Sequence, residues 1–168
     1  QDEGYGTVVV NIPEQDVVQG LVRLEVIEGK VDRLVVSGAT WFSPEQIRAG
    51  APSLAEGSVP LLPQVQKELV QLNAGSSDRR ITPVLRPGRY PGTLEAELKV
   101  DDTPPVHGSI EVNNRYTADT TRTRVTGILG YDNLWQRQHA ASLGYQTAPE
   151  NTDDVTVLFG TYSARLGA

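Results

Sequence analysis

The sequence of 168 residues contains no cysteine and no methionine, and only 6% of its residues are aromatic. Without cysteine, disulfide bonds and thiolate chemistry are both excluded. Methionine is absent even at position 1, so we expect the natural protein to begin upstream of Gln1. Apolar runs approaching the roughly 20 residues of a membrane-spanning helix are also missing. Strands that cross a membrane with alternating side chains are not excluded by any of these absences.

Positive charge is scarce as well, with 15 basic against 21 acidic residues and a formal net charge of −6. Nucleic-acid binders usually carry a basic excess, so this balance argues against a nucleic-acid partner. A local basic cluster is formed by Arg79, Arg80, Arg86 and Arg89. We interpret this cluster as a solvated surface, the usual fate of surface charge.

Motifs for catalysis and metal binding are missing too. Adjacent acidic pairs such as Asp101–Asp102 point to opposite faces of a strand, so they do not converge on one reacting atom. The two histidines, His107 and His139, have no metal-ligand spacing. We therefore predict no enzyme, no catalytic residue, no metal, no cofactor and no small-molecule substrate.

The chain does contain strand patterns near its start. Segments 7–12 and 21–29 are rich in β-branched and alternating apolar residues, and "PEQDVVQG" turns the chain between them. A lone hairpin is marginal in water. We therefore interpret residues 1–29 as the end of a domain that begins upstream.

Two helices are predicted after a strand at 30–38. Ser43 and Gln46 have the spacing of a capping box, and Pro44 occupies the favoured first helical position. The second helix, in "PLLPQVQKELVQLNAG", carries an apolar stripe and ends at 73–75. This stripe consists of Leu62, Val65, Leu69 and Leu72.

A hairpin follows the helices, in "RRITPVLRPGRYPGTLEAELKV". Pro83 has no N–H to donate to the hydrogen-bond ladder of a sheet. We therefore predict that the first arm of the hairpin is an edge strand. Along the second arm apolar and polar residues alternate, so one face is expected to pack on the helices. The order over residues 30–100 is thus β-α-α-β-β.

The pattern changes after "DDTPPVHG", where strands and turns alone are predicted over 109–168. Segments of about 9 to 11 residues that alternate weakly are typical of transmembrane β-barrels. A soluble β-domain has a similar pattern, so both interpretations stay open here. Six aromatic residues lie in or near the expected strand ends, as an interfacial girdle requires: Tyr116, Tyr131, Trp135, Tyr145, Phe159 and Tyr162.

These motifs together resemble a known family over essentially the whole chain. The "VIEG" strand, the helix ending in "LN", the "LRPG…PGT" hairpin and the "NN…T…YDNL" segment are similar to two-partner secretion outer-membrane transporters. These are the haemolysin-activator and filamentous-haemagglutinin transporter type. Members commonly continue "NL" with a glycine-rich turn ending in Asp, whereas this chain has "NLWQRQH".

The resemblance implies a fold class and a division into domains. Residues 1–29 would be the C-terminal hairpin of a first POTRA (polypeptide-transport-associated) domain. Residues 30–103 would form a second POTRA domain, an α+β fold of order β-α-α-β-β. Residues 104–168 would supply about the first four antiparallel strands of a truncated transmembrane β-barrel. The implied location is the Gram-negative outer membrane, with POTRA domains in the periplasm.

The implied function is transport of an unfolded secreted exoprotein, recognised through its N-terminal secretion domain and passed through the pore. The implied partners are this exoprotein and outer-membrane lipid. Because an exposed sheet edge can bind extended chain by β-augmentation, we expect binding at the predicted edge strand and the adjoining helix. A competing interpretation is that Pro83 only blunts this edge. The candidate residues are Arg80, Ile81, Thr82, Val84, Leu85, Gln66 and Val70.

Two other functions remain open from the sequence. An outer-membrane protein assembly factor of the same superfamily would share the fold and carry about five POTRA domains instead of two. A soluble periplasmic binding or scaffold module would form its last strands into a small sheet of its own.

Overall fold

The computed structural model describes residues 8–11, 25–116 and 118–164, and the chain divides into two compact units, 1–103 and 104–168. In the first unit, β1 (Val8–Asn11) pairs antiparallel with β2 (Glu25–Glu28). Residues 7, 12 and 21–24 of the two predicted strands lie outside the described residues. No helix of the described residues is long and apolar enough to cross a membrane.

The remainder of the first unit is a three-stranded sheet with helices. Its strands lie in the order β3-β5-β4, with β3 parallel and β4 antiparallel to the central β5. The edge position predicted for the first arm of the hairpin is therefore observed in β4. In chain order the elements are β3 (Lys30–Ser37), α1 (Pro44–Ala49), a 3-10 turn (Pro52–Leu54), α2 (Leu62–Ala74), β4 (Arg79–Pro87) and β5 (Thr93–Asp102).

One hydrophobic core holds this sheet and its helices together, because the apolar side of each strand faces the apolar stripe of each helix. Leu62 was predicted to belong to the stripe of α2 but is exposed, since α2 begins at this residue and the core-facing stripe starts one turn later. The buried residues are Val31, Leu34, Phe42, Ile47, Ala51, Leu54, Val65, Leu69, Leu72, Ile81, Ala96, Leu98 and Val100.

Helix α1 begins as the sequence predicts. The backbone N–H of Gln46 donates to Ser43 Oγ at 3.3 Å, and Pro44 occupies the first turn. This cap satisfies one of the amides that a helix start leaves without a backbone partner.

Arg79 corrects the interpretation of the basic cluster as a solvated surface. Its side chain is buried, donates from Nη2 to the Leu72 carbonyl at 3.0 Å, and lies 5.0 Å from the ring centroid of Phe42. A cation beside the last carbonyls of α2 is stabilised by the helix dipole, and the aromatic face adds a cation–π contact. The interpretation was therefore wrong for this residue.

The loop between β3 and α1 is fixed by one carboxylate at the end of β5. Asp102 Oδ2 accepts the backbone N–H groups of Thr40 (3.0 Å), Trp41 (2.8 Å) and Phe42 (3.1 Å). Hydrogen bonds to an ionised acceptor are stronger than neutral ones. Gly38, which precedes this loop, has φ of +79°, and a Cβ there would overlap the Val100 carbonyl oxygen.

The second unit is a four-stranded antiparallel sheet in the order β6-β7-β8-β9. Each strand pairs with the next along the chain, as predicted for strands joined by turns. The bounds are β6 (Val106–Asn113), β7 (Arg124–Leu134), β8 (His139–Thr147) and β9 (Thr156–Ser163).

Buried polar side chains organise both ends of this sheet. At one end Arg124 donates to the carbonyls of Thr121 (2.6 Å) and Thr123 (3.0 Å), and the Thr121 N–H donates to Asp154 of the next loop. At the other end the turn after β7 places Trp135, Gln136 and Gln138 at positive φ without glycine. Asn133, which is 2% exposed, accepts from the Gln138 N–H at 3.4 Å and donates to Gln136 Oε1 at 2.9 Å.

Replacing Asp102 by Ala should destabilise the first unit by about 1–3 kcal/mol, because three backbone N–H groups lose a charged acceptor. Urea unfolding followed by Trp41 fluorescence, in a chain with Trp135 replaced by Phe, measures the change. Asp101→Ala is the matched control, since Asp101 lies next to Asp102 and is exposed. Equal loss of stability in both variants would contradict the assigned role of Asp102.

Candidate binding edge and two-faced sheet

The first candidate site is the outer edge of β4, where five of the predicted binding residues lie. At one end of the β4–β5 pair the Thr103 N–H donates to the Asp78 carbonyl at 2.8 Å, and at the other the Gly88 N–H donates to the Thr93 carbonyl at 2.8 Å. Ladder bonds of antiparallel strands recur every second residue. With no register shift between these ends, the even-numbered residues of β4 bond to β5 and the odd-numbered residues face outward.

This alternation divides the predicted residues into two groups. Arg80, Thr82 and Val84 turn their backbone groups towards β5, so they have none to offer to a partner chain. Ile81 and Leu85 turn theirs outward. The side chains follow the same period, with Ile81 and Leu85 on the helix side of the sheet and the other three on its open side.

The outward groups of Ile81 are already bonded within the unit. Its N–H donates to Asn73 Oδ1 at 2.7 Å, and the Asn73 side-chain amide donates to its carbonyl at 3.0 Å. Asn73 of α2 therefore bonds to Ile81 as a neighbouring strand would. Sequence analysis assigned Asn73 only to the end of the helix, and an Asn eight residues before Ile81 gives no signal for this contact.

Gln66 and Val70, the predicted groove residues, lie on the same side of α2 as Asn73. Residues spaced by three and four share one face of a helix, and 66, 70 and 73 have this spacing. Both side chains are exposed, Val70 to 68%. Leu85 on β4 is 38% exposed, so apolar surface is available on the helix and on the strand.

The open side of the sheet carries charge rather than apolar surface. Glu97 accepts from Ser37 Oγ at 2.7 Å and pairs with Arg86 at 2.9 Å. The hydrogen bond from Ser37 lowers the pKa of the Glu97 carboxyl; desolvation opposes this shift and the Arg86 charge supports it. Arg80 and Arg86 are both exposed, and Arg86 is held by Glu97 beside Val84.

The second candidate site is the sheet of the second unit, whose two faces differ in chemistry. Opposite residues in the ladders share a face, and one set is strongly apolar. We call it the apolar face, and many of its side chains are exposed, Ile110 to 81%. Its members are Val106, Ile110, Val112, Val125, Leu129, Tyr131, Leu143, Tyr145, Leu158 and Tyr162.

The opposite side, which we call the polar face, is dominated by hydroxyl, amide and charged groups. Gln146 donates to Thr126 at 3.0 Å, and the hydroxyls of Ser142 and Thr161 are 2.6 Å apart. Its apolar exceptions are Ile128, Ala140, Val157 and Phe159. The polar members are His107, Ser109, Glu111, Asn113, Arg124, Thr126, Ser142, Gln146, Thr161 and Ser163.

The predicted aromatic girdle is only partly matched by this geometry. Trp135, His139 and Tyr162 form a cluster of ring contacts beside the turn after β7, with His139 Nδ1 2.6 Å from the Tyr162 hydroxyl. Phe159, however, lies in the middle of β9 on the polar face. Its ring covers Gly144, where a Cβ would overlap it, so Phe159 fills the space of a missing side chain.

Comparisons with known proteins identify similar chains. No protein-family model matches. The outer membrane transporter CdiB of Dickeya dadantii (strain 3937) is 25% identical over 166 residues, which is 98% of this chain and 29% of that protein. The chain thus spans less than a third of the curated relative that it matches.

Solved structures share the fold. CdiB from Escherichia coli superposes with a TM-score of 0.63 at 22% identity, over 88% of this chain and 27% of that one. CdiB from Acinetobacter baumannii superposes with a TM-score of 0.58 at 19% identity, over 86% of this chain and 27% of that one. Together with the curated sequence match, these structures confirm the resemblance to two-partner secretion transporters. BamA from Haemophilus ducreyi lacking POTRA domains 1–3 superposes with a TM-score of 0.58 at 13% identity, over 96% of this chain and 33% of that one.

The predicted location in the Gram-negative outer membrane, with POTRA domains in the periplasm, is confirmed by these relatives. The transporter relatives also fit the prediction that the chain is not an enzyme.

Asn73→Ala should make the Ile81 amide exchange with solvent about 10 to 100 times faster, because its acceptor is lost while the β4–β5 ladder stays intact. Hydrogen exchange resolved to single amides measures this. Gln71→Ala is the control, since Gln71 is an exposed residue of the same helix. Unchanged exchange at Ile81 in the Asn73 variant would contradict the bond between Asn73 and β4.

Proposed function

We propose that the chain is part of an outer-membrane transporter that binds an unfolded secreted protein and passes it through a β-barrel pore. The observation that carries this proposal is the two-faced sheet of the second unit. A barrel strand alternates apolar side chains towards lipid with polar side chains towards the lumen. The apolar and polar faces of β6–β9 follow this rule over four successive strands.

The strand lengths are close to those that a membrane requires, with 8 residues in each of β6 and β9. β7 contains 11 residues and β8 contains 9, and a tilted transmembrane strand needs about 9–11. The aromatic cluster of Trp135, His139 and Tyr162 lies at a strand end, where interfacial aromatic residues are enriched. The apolar face is in this proposal the lipid contact, and the polar face lines the pore.

The first unit supplies the client-binding part of the proposal. We assign residues 1–29 to the end of one POTRA domain, 30–103 to a second and 104–168 to the first barrel strands, which the division of the chain at 103/104 supports. An exposed sheet edge binds extended chain through backbone bonds that do not depend strongly on sequence. The partner is therefore an unfolded exoprotein, recognised through its N-terminal secretion domain.

The likeness to BamA supports a second candidate, assembly of other outer-membrane proteins. The sequence match to a transporter favours secretion. A soluble periplasmic scaffold is disfavoured by the apolar face, because contiguous exposed apolar surface of this extent marks membrane or protein contact.

Leu129 and Ile128 provide a direct test of the membrane assignment, since they are adjacent in the middle of β7 and lie on opposite faces. Leu129→Lys should cost about 2–4 kcal/mol at the bilayer centre and prevent folding into the membrane. Ile128→Lys should be tolerated on the pore side. The measurement is the folded fraction of the full-length protein in outer-membrane fractions; equal tolerance of both changes would reject the lipid assignment.

Transport itself is tested by secretion from cells that express the full-length protein with the exoprotein encoded beside it. Deleting residues 30–103 should abolish surface exoprotein while the levels of other outer-membrane proteins stay normal. A general fall in those other proteins, with the exoprotein affected no more than they are, would instead indicate an assembly factor.

A further inference from the structure

The outer edge of β4 offers an uneven set of hydrogen-bonding groups. Its outward residues between the Asn73 contact and the hairpin tip are Pro83, Leu85 and Pro87. Proline has a carbonyl but no N–H, so Pro83 and Pro87 can only accept. Leu85 is therefore the one residue of this stretch that both donates and accepts outward.

We propose that this edge takes a single short extended polypeptide in one register, with Leu85 as the residue that sets the register and Asn73 as the residue that ends it. The inference rests on the proposed client binding and names the features of the bound segment. One partner residue forms the bonds to the N–H and carbonyl of Leu85 if the segment runs antiparallel, and two residues share them if it runs parallel. In both directions the Pro83 and Pro87 carbonyls accept further partner N–H groups.

Asn73 limits the length of the bound segment. The next outward residue before Pro83 is Ile81, and both of its backbone groups are bonded to the Asn73 amide. A partner strand that continued past Pro83 would have to displace this side chain. At the other end β4 stops at Pro87 and the chain turns. The pairing length is thus about five residues of partner.

The side chains beside this edge specify alternating apolar residues in the partner. A partner side chain next to Leu85 points to the helix side of the sheet, as Leu85 does. Because the short connection 75–78 reverses the chain after α2, earlier residues of α2 lie beside later residues of β4. Asn73 lies beside Ile81, so with rises of about 1.5 Å per helix residue and 3.3 Å per strand residue, Gln66 and Val70 flank the stretch from Thr82 to Val84.

The same features also suit an edge protected against uncontrolled pairing, since prolines and side-chain caps blunt sheet edges. A fully blunted edge would leave no outward donor. Here Leu85 retains its N–H between two prolines, with exposed apolar side chains on the strand and on the helix. Binding therefore predicts a loss of probe affinity when the Leu85 donor is removed, whereas protection alone predicts no change.

The test uses the full-length transporter in detergent, with the peptide fluorescein-Val-Thr-Leu-Thr-Val-amide, labelled at its N-terminus, as the probe and anisotropy as the readout. Leu85→Pro removes the outward N–H without breaking a bond to β5, as Pro83 and Pro87 already do. It should weaken probe binding about five- to tenfold. Pro83→Ala adds an outward donor and should strengthen binding about fivefold.

Two further measurements separate the backbone from the side chain and establish the length limit. Leu85→Ala keeps the N–H, so exchange of the residue 85 amide should still slow when probe is added. A probe extended by two residues at either end should bind the native protein no tighter than the short one. In Asn73→Ala the extended probe should bind about fivefold tighter, because Ile81 becomes available.

Unchanged probe affinity in Leu85→Pro, or tighter binding of the extended probe to the native protein, would overturn the proposed register. Secretion assays separate this result from the transporter function. If Leu85→Pro binds the probe normally and the exoprotein is still secreted, the register inference fails and transport stands. If the probe behaves as expected but no exoprotein is secreted by the native protein, the edge site stands and transport fails.

Discussion

The two-residue period of the β-strand is the constraint on which both units of this chain depend. In the second unit it sends every other side chain of β6–β9 to one face, which separates apolar from polar surface without any helix. In the first unit it decides which backbone groups of β4 bond to β5 and which face outward. A shift of one residue in either register would exchange the two faces and, in β4, would turn Pro83 towards the ladder, where it has no N–H to donate.

Much of this arrangement could be predicted from local patterns. Ser43 and Pro44 indicate the start of α1, Pro83 places β4 at an edge, and the alternation after Pro104 indicates strands. Each of these signals is local because it reflects caps, ring geometry or the strand period. The resemblance to transporters is likewise inferred from short motifs such as "VIEG" and "LRPG…PGT", and a curated transporter matches over 98% of the chain.

The features that sequence reasoning missed are polar contacts between elements distant in the fold. Arg79 belongs to a run of charges that is typical of solvated surface, yet it packs under Phe42 and bonds to the end of α2. Asn73 is an ordinary residue for a helix end, and its contact with Ile81 depends on how α2 lies against β4. Phe159 lies on the polar face, where its ring covers Gly144 of the neighbouring strand. Composition and spacing carry no information on such pairings.

Under the proposed function, the uneven edge of β4 also suits a client that must leave after it binds. Three carbonyls and one N–H face outward between Pro83 and Pro87, and each hydrogen bond contributes about 1 kcal/mol net. Their sum of about 4 kcal/mol corresponds to a dissociation constant near 1 mM before ordering of the segment is counted. Apolar contacts with Leu85 and Val70 add to this, while the loss of chain entropy subtracts from it. Binding at one edge is then weak and rapidly reversible, so the proposed selectivity for one exoprotein requires several such contacts acting on one linked chain.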